Sequence, residues 1–298
     1  MTVENIEIKK LSYDTLFKAV FIREQRVLLK MIKDILNIHD EVDIKYIEVL
    51  PGYEVEPLSK EKKTFKTDLL IKLDDNTFIN LEINRYGGED ILSRNILQVS
   101  RIYSQIINRG TRIEEMSKKI LKQLNFNTFR TYTGKPIENI ALCEIETGKV
   151  VSVILSFCNV DIEISKKLVY NVGMEKVSKA VRWGAILNAT NIKDIDTLLG
   201  YDLLEMEEKK SFLDSVKNVN IDKKIMEDWM FEENARLYYE GGVDYARKKG
   251  FEEGTEKGIE DKTIEVIKNM LKEGSTYEFI SKVTGKSIDE IKELDIVN

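Results

Sequence analysis

The chain has 298 residues, with 46 Lys and Arg against 52 Asp and Glu, a formal net charge of −6 and a single histidine. With 42% hydrophobic residues, a third charged and only three prolines, its composition is that of a helix-leaning globular chain and excludes a disordered one. The lone His39 excludes multi-histidine metal sites, and any Ser-His-Asp or Cys-His pair not built on it, so chemistry falls to carboxylates, lysines or a bound cation.

In chain order, residues 13–37 predict one long amphipathic helix or a pair, with Leu16, Val20, Val27, Met31 and Leu36 at helical spacing. Asp40–Asp43 is a break, Ile44 to Val49 a short strand ended by Pro51-Gly52, and the polar residues 53–64 a loop.

Residues 66–84 predict a β-hairpin, two alternating runs around the turn signal Asp74-Asp75-Asn76. Leu69, Ile71, Leu73, Ile79, Leu81 and Ile83 occupy the odd positions, all aliphatic, so period-2 geometry sends that face to the core. The other face carries Asp68, Glu82 and Asn84. A three-residue loop centred on Asp75 opposes Asp68 to Glu82; a two-residue turn would put Ile83 there instead. The uniform aliphatic face favours the first. Opposed carboxylates repel unless a cation neutralises them or one stays protonated. Asp68 and Glu82, with Asn84 two positions on, therefore form an oxygen-rich site suited to Mg²⁺, with Mn²⁺ as a substitute.

Residues 90–109 predict a helix ended by Gly110, with Ile96, Val99, Tyr103 and Ile106 as its apolar stripe. Arg94, Gln98, Arg101 and Gln105 share another face, which reads as a solvated helix face or as a surface for DNA phosphates and base edges. Between 91 and 135 nine basic residues stand against two acidic, a net of +7, whereas residues 200–298 carry 16 basic and 24 acidic, a net of −8. Strands follow at Ile120–Phe126, Ile140–Glu146 and Val150–Val160, then helices through 235. Cys143 and Cys158, in the apolar runs, read as reduced core thiols.

From about 236 the chain is charged and punctuated by Gly242, Gly250, Gly254 and Gly258, a weak helix in isolation. Two short helices around Thr284-Gly285-Lys286-Ser287 follow, the second opened by the capping box Ser287-Ile288-Asp289-Glu290. The acidity of the tail favours an interaction or packing element over a DNA-binding helix–turn–helix. No signal-peptide pattern opens the chain and no apolar run approaches the ~20 residues of a membrane span, so a cytoplasmic location without membrane association is expected.

Several pieces, in order, resemble the Rpn (recombination-promoting nuclease) family, also described as PD-(D/E)XK nuclease family transposases. Tyr13-Asp14-Thr15-Leu16-Phe17-Lys18-Ala19-Val20-Phe21 is similar to that family's opening helix, and Asp68 with Leu81-Glu82-Ile83-Asn84 to its catalytic hairpin. Arg94 and Tyr103 fall where its next helix carries Arg and Tyr. The likeness also takes in Asp202 to Lys224 and the Gly-punctuated tail.

The resemblance implies a restriction-endonuclease-like α/β fold, a mixed central sheet flanked by helices, in a nuclease-like domain with a helical extension over 1–235 and a helical tail over 236–298. It implies a Mg²⁺-dependent DNA endonuclease linked to recombination or mobile elements, with Asp68, Glu82 and the carbonyl of Ile83 as metal ligands. Asn84 takes the place of the superfamily's Lys or this family's Gln, Asp14 serves as an auxiliary acid, and Arg94 supports the site or the scissile phosphate. Asn84 is shorter than Gln and uncharged, which lowers the expected activity. The alternative is a weak or inactive nuclease-like module that binds DNA or protein. DNA is the expected partner, and two-strand cleavage favours a homodimer.

Overall fold

The computed structural model describes residues 5–38, 47–51, 54–55, 65–73, 77–85, 87, 91–107, 111–116 and 118–296. His39, the break at 40–43 and the Asp74-Asp75-Asn76 turn lie outside the described residues. The chain divides into two compact units, Met1–Glu232 and Glu233–Asn298.

In the first unit, helices α1 (Asp14–Phe21) and α2 (Gln25–Leu36) precede strands β1 (Ile47–Pro51), β2 (Glu54–Val55), β3 (Phe65–Lys66), β4 (Leu69–Leu73) and β5 (Thr77–Asn84). β2 and β3 pair with each other, so the expected loop at 53–64 contains a strand at its start. After α3 (Ile91–Ile106) and α4 (Ile113–Met116) come β6 (Ile120–Asn127), β7 (Ile137–Cys143) and β8 (Val150–Asp161). Six strands form one sheet in the order β1-β4-β5-β6-β8-β7. The β5–β6 and β6–β8 pairs are parallel and the others antiparallel. A parallel pair needs a crossover, and α3 supplies the one from β5 to β6.

Helices cover both faces. On one, Leu69, Ile71, Ile79, Leu81, Leu124 and Phe126 pack with Phe17 and Phe21 of α1 and Met31 of α2. The same core takes in α5 (Ile162–Val172), α6 (Lys179–Leu187), α7 (Ile192–Leu199) and α8 (Met206–Ile221). Trp183, fully buried, donates its indole N–H to Asp34 at 2.7 Å. Arg182 closes the end of α7 by donating to the carbonyls of Leu198 and Leu199, 2.8 and 2.9 Å away, and to Asp202. Gly200 sits beneath it at φ 58°, where a Cβ would lie 2.8 Å from the guanidinium. On the opposite face α3 buries Val99 and Ile102 against Leu70 and Leu121. This is the mixed, helix-flanked sheet that the resemblance implies.

On the even-numbered hairpin face, over which α3 packs, Asn80, Glu82 and Asn84 are buried. Two expectations change. Ile96 is exposed, because α3 turns Asn95, Gln98, Val99, Arg101 and Ile102 to the sheet instead. Cys143 is exposed near the end of edge strand β7, leaving Cys158 as the one buried thiol, which burial raises to about 12. The glycine-punctuated tail is continuous helix, α9 (Lys223–Lys272). Pairs such as Arg236–Glu240, Lys249–Glu253 and Lys262–Glu265 oppose the glycine penalty, each contributing ~0.2–0.5 kcal/mol.

The second unit holds the rest of α9 with α10 (Tyr277–Thr284) and α11 (Ile288–Ile296), closed around Ile267, Ile280 and Ile291. Gly285 ends α10 in the left-handed conformation, and Ser287 and Glu290 form the expected reciprocal cap. Among the described residues no helix is long and apolar enough to cross a membrane.

Candidate active site

Register decides which polar residues meet. Leu69 pairs with Leu81, Leu70 with Asn80 and Ile71 with Ile79, the pairing of a three-residue loop, so one step further on Asp68 faces Glu82. The Asp68 amide donates to Glu82 Oε1 at 3.3 Å, and the Ile83 amide donates to Asp68 Oδ2 at 2.8 Å. Glu82 is nearly sealed, at 3% exposure, and Gln98 of α3 donates to its Oε1 at 2.7 Å.

The first helix completes the cluster. Lys18 lies one turn after Asp14, with Nζ 2.7 Å from Asp14 Oδ2 and 3.5 Å from Asp68 Oδ1. Burial raises Asp68 to about 6, helped by the charge of Asp14 and opposed by Ile83 and Lys18. Burial and the charge of Asp68 raise Glu82 to about 8, against hydrogen bonds from Asp68 and Gln98 and the charge of Arg94. Burial lowers the Lys18 ammonium, but Asp14 and Asp68 outweigh it and the net shift is upward. Two neighbouring carboxylates are thus short of positive charge.

The N-terminus of α1 has no side-chain cap of its own. Glu232, in the first turns of α9, supplies one by accepting the amides of Asp14 and Thr15 at 3.1 and 3.2 Å. Its Oε1 also lies 3.3 Å from Arg85, whose guanidinium stacks 3.7 Å over the Tyr13 ring. Asp14 and Lys18 are therefore held over the hairpin from one end by a residue far along the chain.

Beside the carboxylates lies a layer of buried amides. Across the sheet Glu82 is level with Asn125 of β6, and Asn125 with Asn159 of β8. Asn80 donates to Gln123, Gln123 to Asn125, and Asn125 to Asn159, each at 2.9–3.0 Å. Asn84 donates to Asn125 and Asn127 at 3.3 and 3.0 Å.

Asp14, Asp68, Glu82 and Ile83 are thus brought together, while Asn84 is anchored in the amide layer. The stripe Arg94, Gln98, Arg101 and Gln105 is not a solvated face. Gln98 and Arg101 are buried against the sheet, Gln105 is half-buried, and Arg94 alone is exposed. Lys18, Arg85 and Glu232 went unassigned in the sequence. Lys18 stands inside the helix motif, but only folding brings it to Asp68. The amide layer does leave a signal, polar Gln123, Asn125 and Asn127 at period two along β6.

Among the described residues no three His, Cys, Asp or Glu side chains form a ready-made metal site. A hard divalent cation such as Mg²⁺ needs only one or two carboxylates when water and substrate oxygens complete its shell. Asp68, Glu82 and the Ile83 carbonyl have that chemistry, and Asp14 Oδ1 is buried without a hydrogen-bond partner among the described residues. The donor set fits such an ion without identifying it.

No curated protein and no solved structure matches the chain. The family model of the PD-(D/E)XK nuclease family transposases matches residues 11–246, spanning the whole sheet, the carboxylate hairpin and the helix that carries Lys18. On that match the chain belongs to the PD-(D/E)XK nuclease family transposases, a nuclease family.

Proposed function

We propose that the protein is a divalent-metal-dependent DNA endonuclease that hydrolyses phosphodiester bonds, in a process linked to recombination or mobile elements. The observation that carries this reading is the apposition of Asp68 and Glu82 beneath Lys18. Asp68, Glu82 and the Ile83 carbonyl would hold the ion, Mg²⁺ or Mn²⁺. When bound, such an ion lowers the pKa of its water and neutralises charge on a phosphate oxygen.

The remaining work belongs to the chain. Gln98 and the Asp68 amide fix the Glu82 carboxylate, and the Ile83 amide fixes that of Asp68. Lys18 provides the ammonium that Asn84 lacks, close enough to the carboxylates to stabilise negative charge on a bound phosphate. Asp14 keeps Lys18 charged and directed. Asn84 acts indirectly, tying the end of β5 to β6. Arg94 and the exposed Arg112, Lys118, Arg130 and Lys135 contribute the positive potential that meets DNA phosphates. A homodimer would suit cleavage of both strands.

The test is plasmid nicking by the full chain with Mg²⁺ or Mn²⁺, beside Asp68→Ala. Metal-dependent nicking lost in the variant supports the proposal. Nicking that survives the substitution, or none at any metal concentration, would falsify it; salt-sensitive DNA binding without cutting would then favour a binding module.

A further inference from the structure

At the carboxyl end of β6, beside the carboxylate hairpin, lies a pocket of about 430 Å³. Phe129, Tyr132 and Ile91 give it apolar walls, and Asn95, Asn127 and Asn159 bring amides to it. All three amide residues are at most 5% exposed. Asn127 and Asn159 are held by Asn84 and Asn125, whereas Asn95 takes no part in that network. Gly87 lies so close to Phe129 that a Cβ would meet the ring at 2.7 Å, so glycine is what lets this wall and the ring approach. Arg130 also lines the pocket, and none of the described lining residues is acidic.

Aromatic walls, a few fixed amides and a neighbouring guanidinium are what a planar, hydrogen-bonding, phosphate-linked group requires. The carboxyl ends of parallel strands are also where open α/β sheets receive ligands. We propose that this pocket accepts one nucleobase of a DNA strand, unstacked from its neighbours, with its edge met by the Asn95 and Asn127 amides and its phosphate by Arg130. One hydrogen bond, from Asn84 to Asn127, joins the pocket to the strand that carries Glu82. Occupancy would favour strands whose bases are already unpaired, since extrusion from a duplex costs free energy. The identity of the ligand as DNA rests on the nuclease reading; the base pocket itself does not.

The experiment uses the full chain without metal and titrates dAMP, dGMP, dCMP and TMP, with 2-deoxyribose 5-phosphate as the base-free control, by saturation-transfer NMR. At least one nucleotide should bind 10-fold or more tightly than the control. Tyr132→Ala and Asn95→Ala should each weaken it about 10-fold with an unchanged melting temperature, and Asp68→Ala should leave it intact. Equal binding of the base-free control, or base binding that survives both pocket variants, overturns the proposal. Plasmid cutting without base-dependent binding overturns the pocket alone. Base-dependent binding without cutting supports the pocket and counts against the nuclease reading.

Discussion

Lys18 Nζ reaches from the first helix to within 3.5 Å of Asp68 Oδ1 on the hairpin, bridging Asp68 to Asp14. It brings a positive charge to a site whose strand carries the neutral Asn84. Lys18→Met should therefore lower nicking by roughly 10²–10³-fold, the usual effect of removing one preorganised electrostatic donor. Lys18→Arg should retain part of the activity. Nicking rates at saturating metal measure this, with circular dichroism to establish folding; full activity in Lys18→Met would contradict the role.

The carboxylate pair sets the pH dependence of the metal-free protein. Burial raises Asp68 from 3.8 to about 6 and Glu82 from 4.5 to about 8, so the folded state holds protons that the unfolded chain has lost. Their contribution is complete below about pH 4 and is lost as pH rises through 6 and then 8. Thermal melts in chelator from pH 4.5 to 8.5 should show declining stability. Glu82→Gln should flatten the upper half of that decline, and a profile that rises from pH 5 to 8 would contradict the assignment.

A divalent ion acts in the opposite sense. Mg²⁺ or Mn²⁺ should raise the melting temperature more at pH 8 than at pH 5, because protons compete for the same oxygens. Asp68→Ala should abolish the shift. An equal shift in wild type and variant would mean that the ion binds elsewhere.

Glu232 caps a helix that does not cap itself. Glu232→Ala leaves the Asp14 and Thr15 amides and Arg85 without their acceptor, and should cost about 1–2 kcal/mol in denaturant melts. It should also slow nicking by loosening the helix that carries Lys18. A stability change within error would show that solvent replaces the cap.

Gly200 occupies a left-handed position directly beneath Arg182. Gly200→Ala adds backbone strain and drives a methyl against the guanidinium that closes α7, so a loss of about 1–3 kcal/mol is expected. Denaturant midpoints measure it, and Asp202→Ala, which removes only the exposed partner of Arg182, should cost less.

Much of this was legible locally. Alternation in the hairpin gave the strands and their core face, and its uniform aliphatic side favoured the register that opposes Asp68 to Glu82. Glycine and the Ser287 box marked the ends of α10 and α11. What failed did so for want of a partner. Ile96 looked like core and Gln98 like surface, because a helix pattern gives a face but not what lies opposite it. Once α3 covers the even face of the hairpin, Gln98 belongs to Glu82 and Ile96 to solvent. The tail, read as a helix weak in isolation, gains ion pairs along α9 that propensity alone does not count.

The opening composition, one histidine among many carboxylates and lysines, limits the chemistry to hard oxygen ligands and ammonium groups, and sequence alone determined that. It also determined the hairpin and its carboxylates, because period-2 patterning and turn chemistry act over a few residues. Tertiary structure alone decided that Lys18, Gln98 and Glu232 serve that hairpin, and that Asn84 turns away into an amide layer. Those contacts join segments far apart in the chain, and their partners are chosen by how the helices close over the two faces of the sheet.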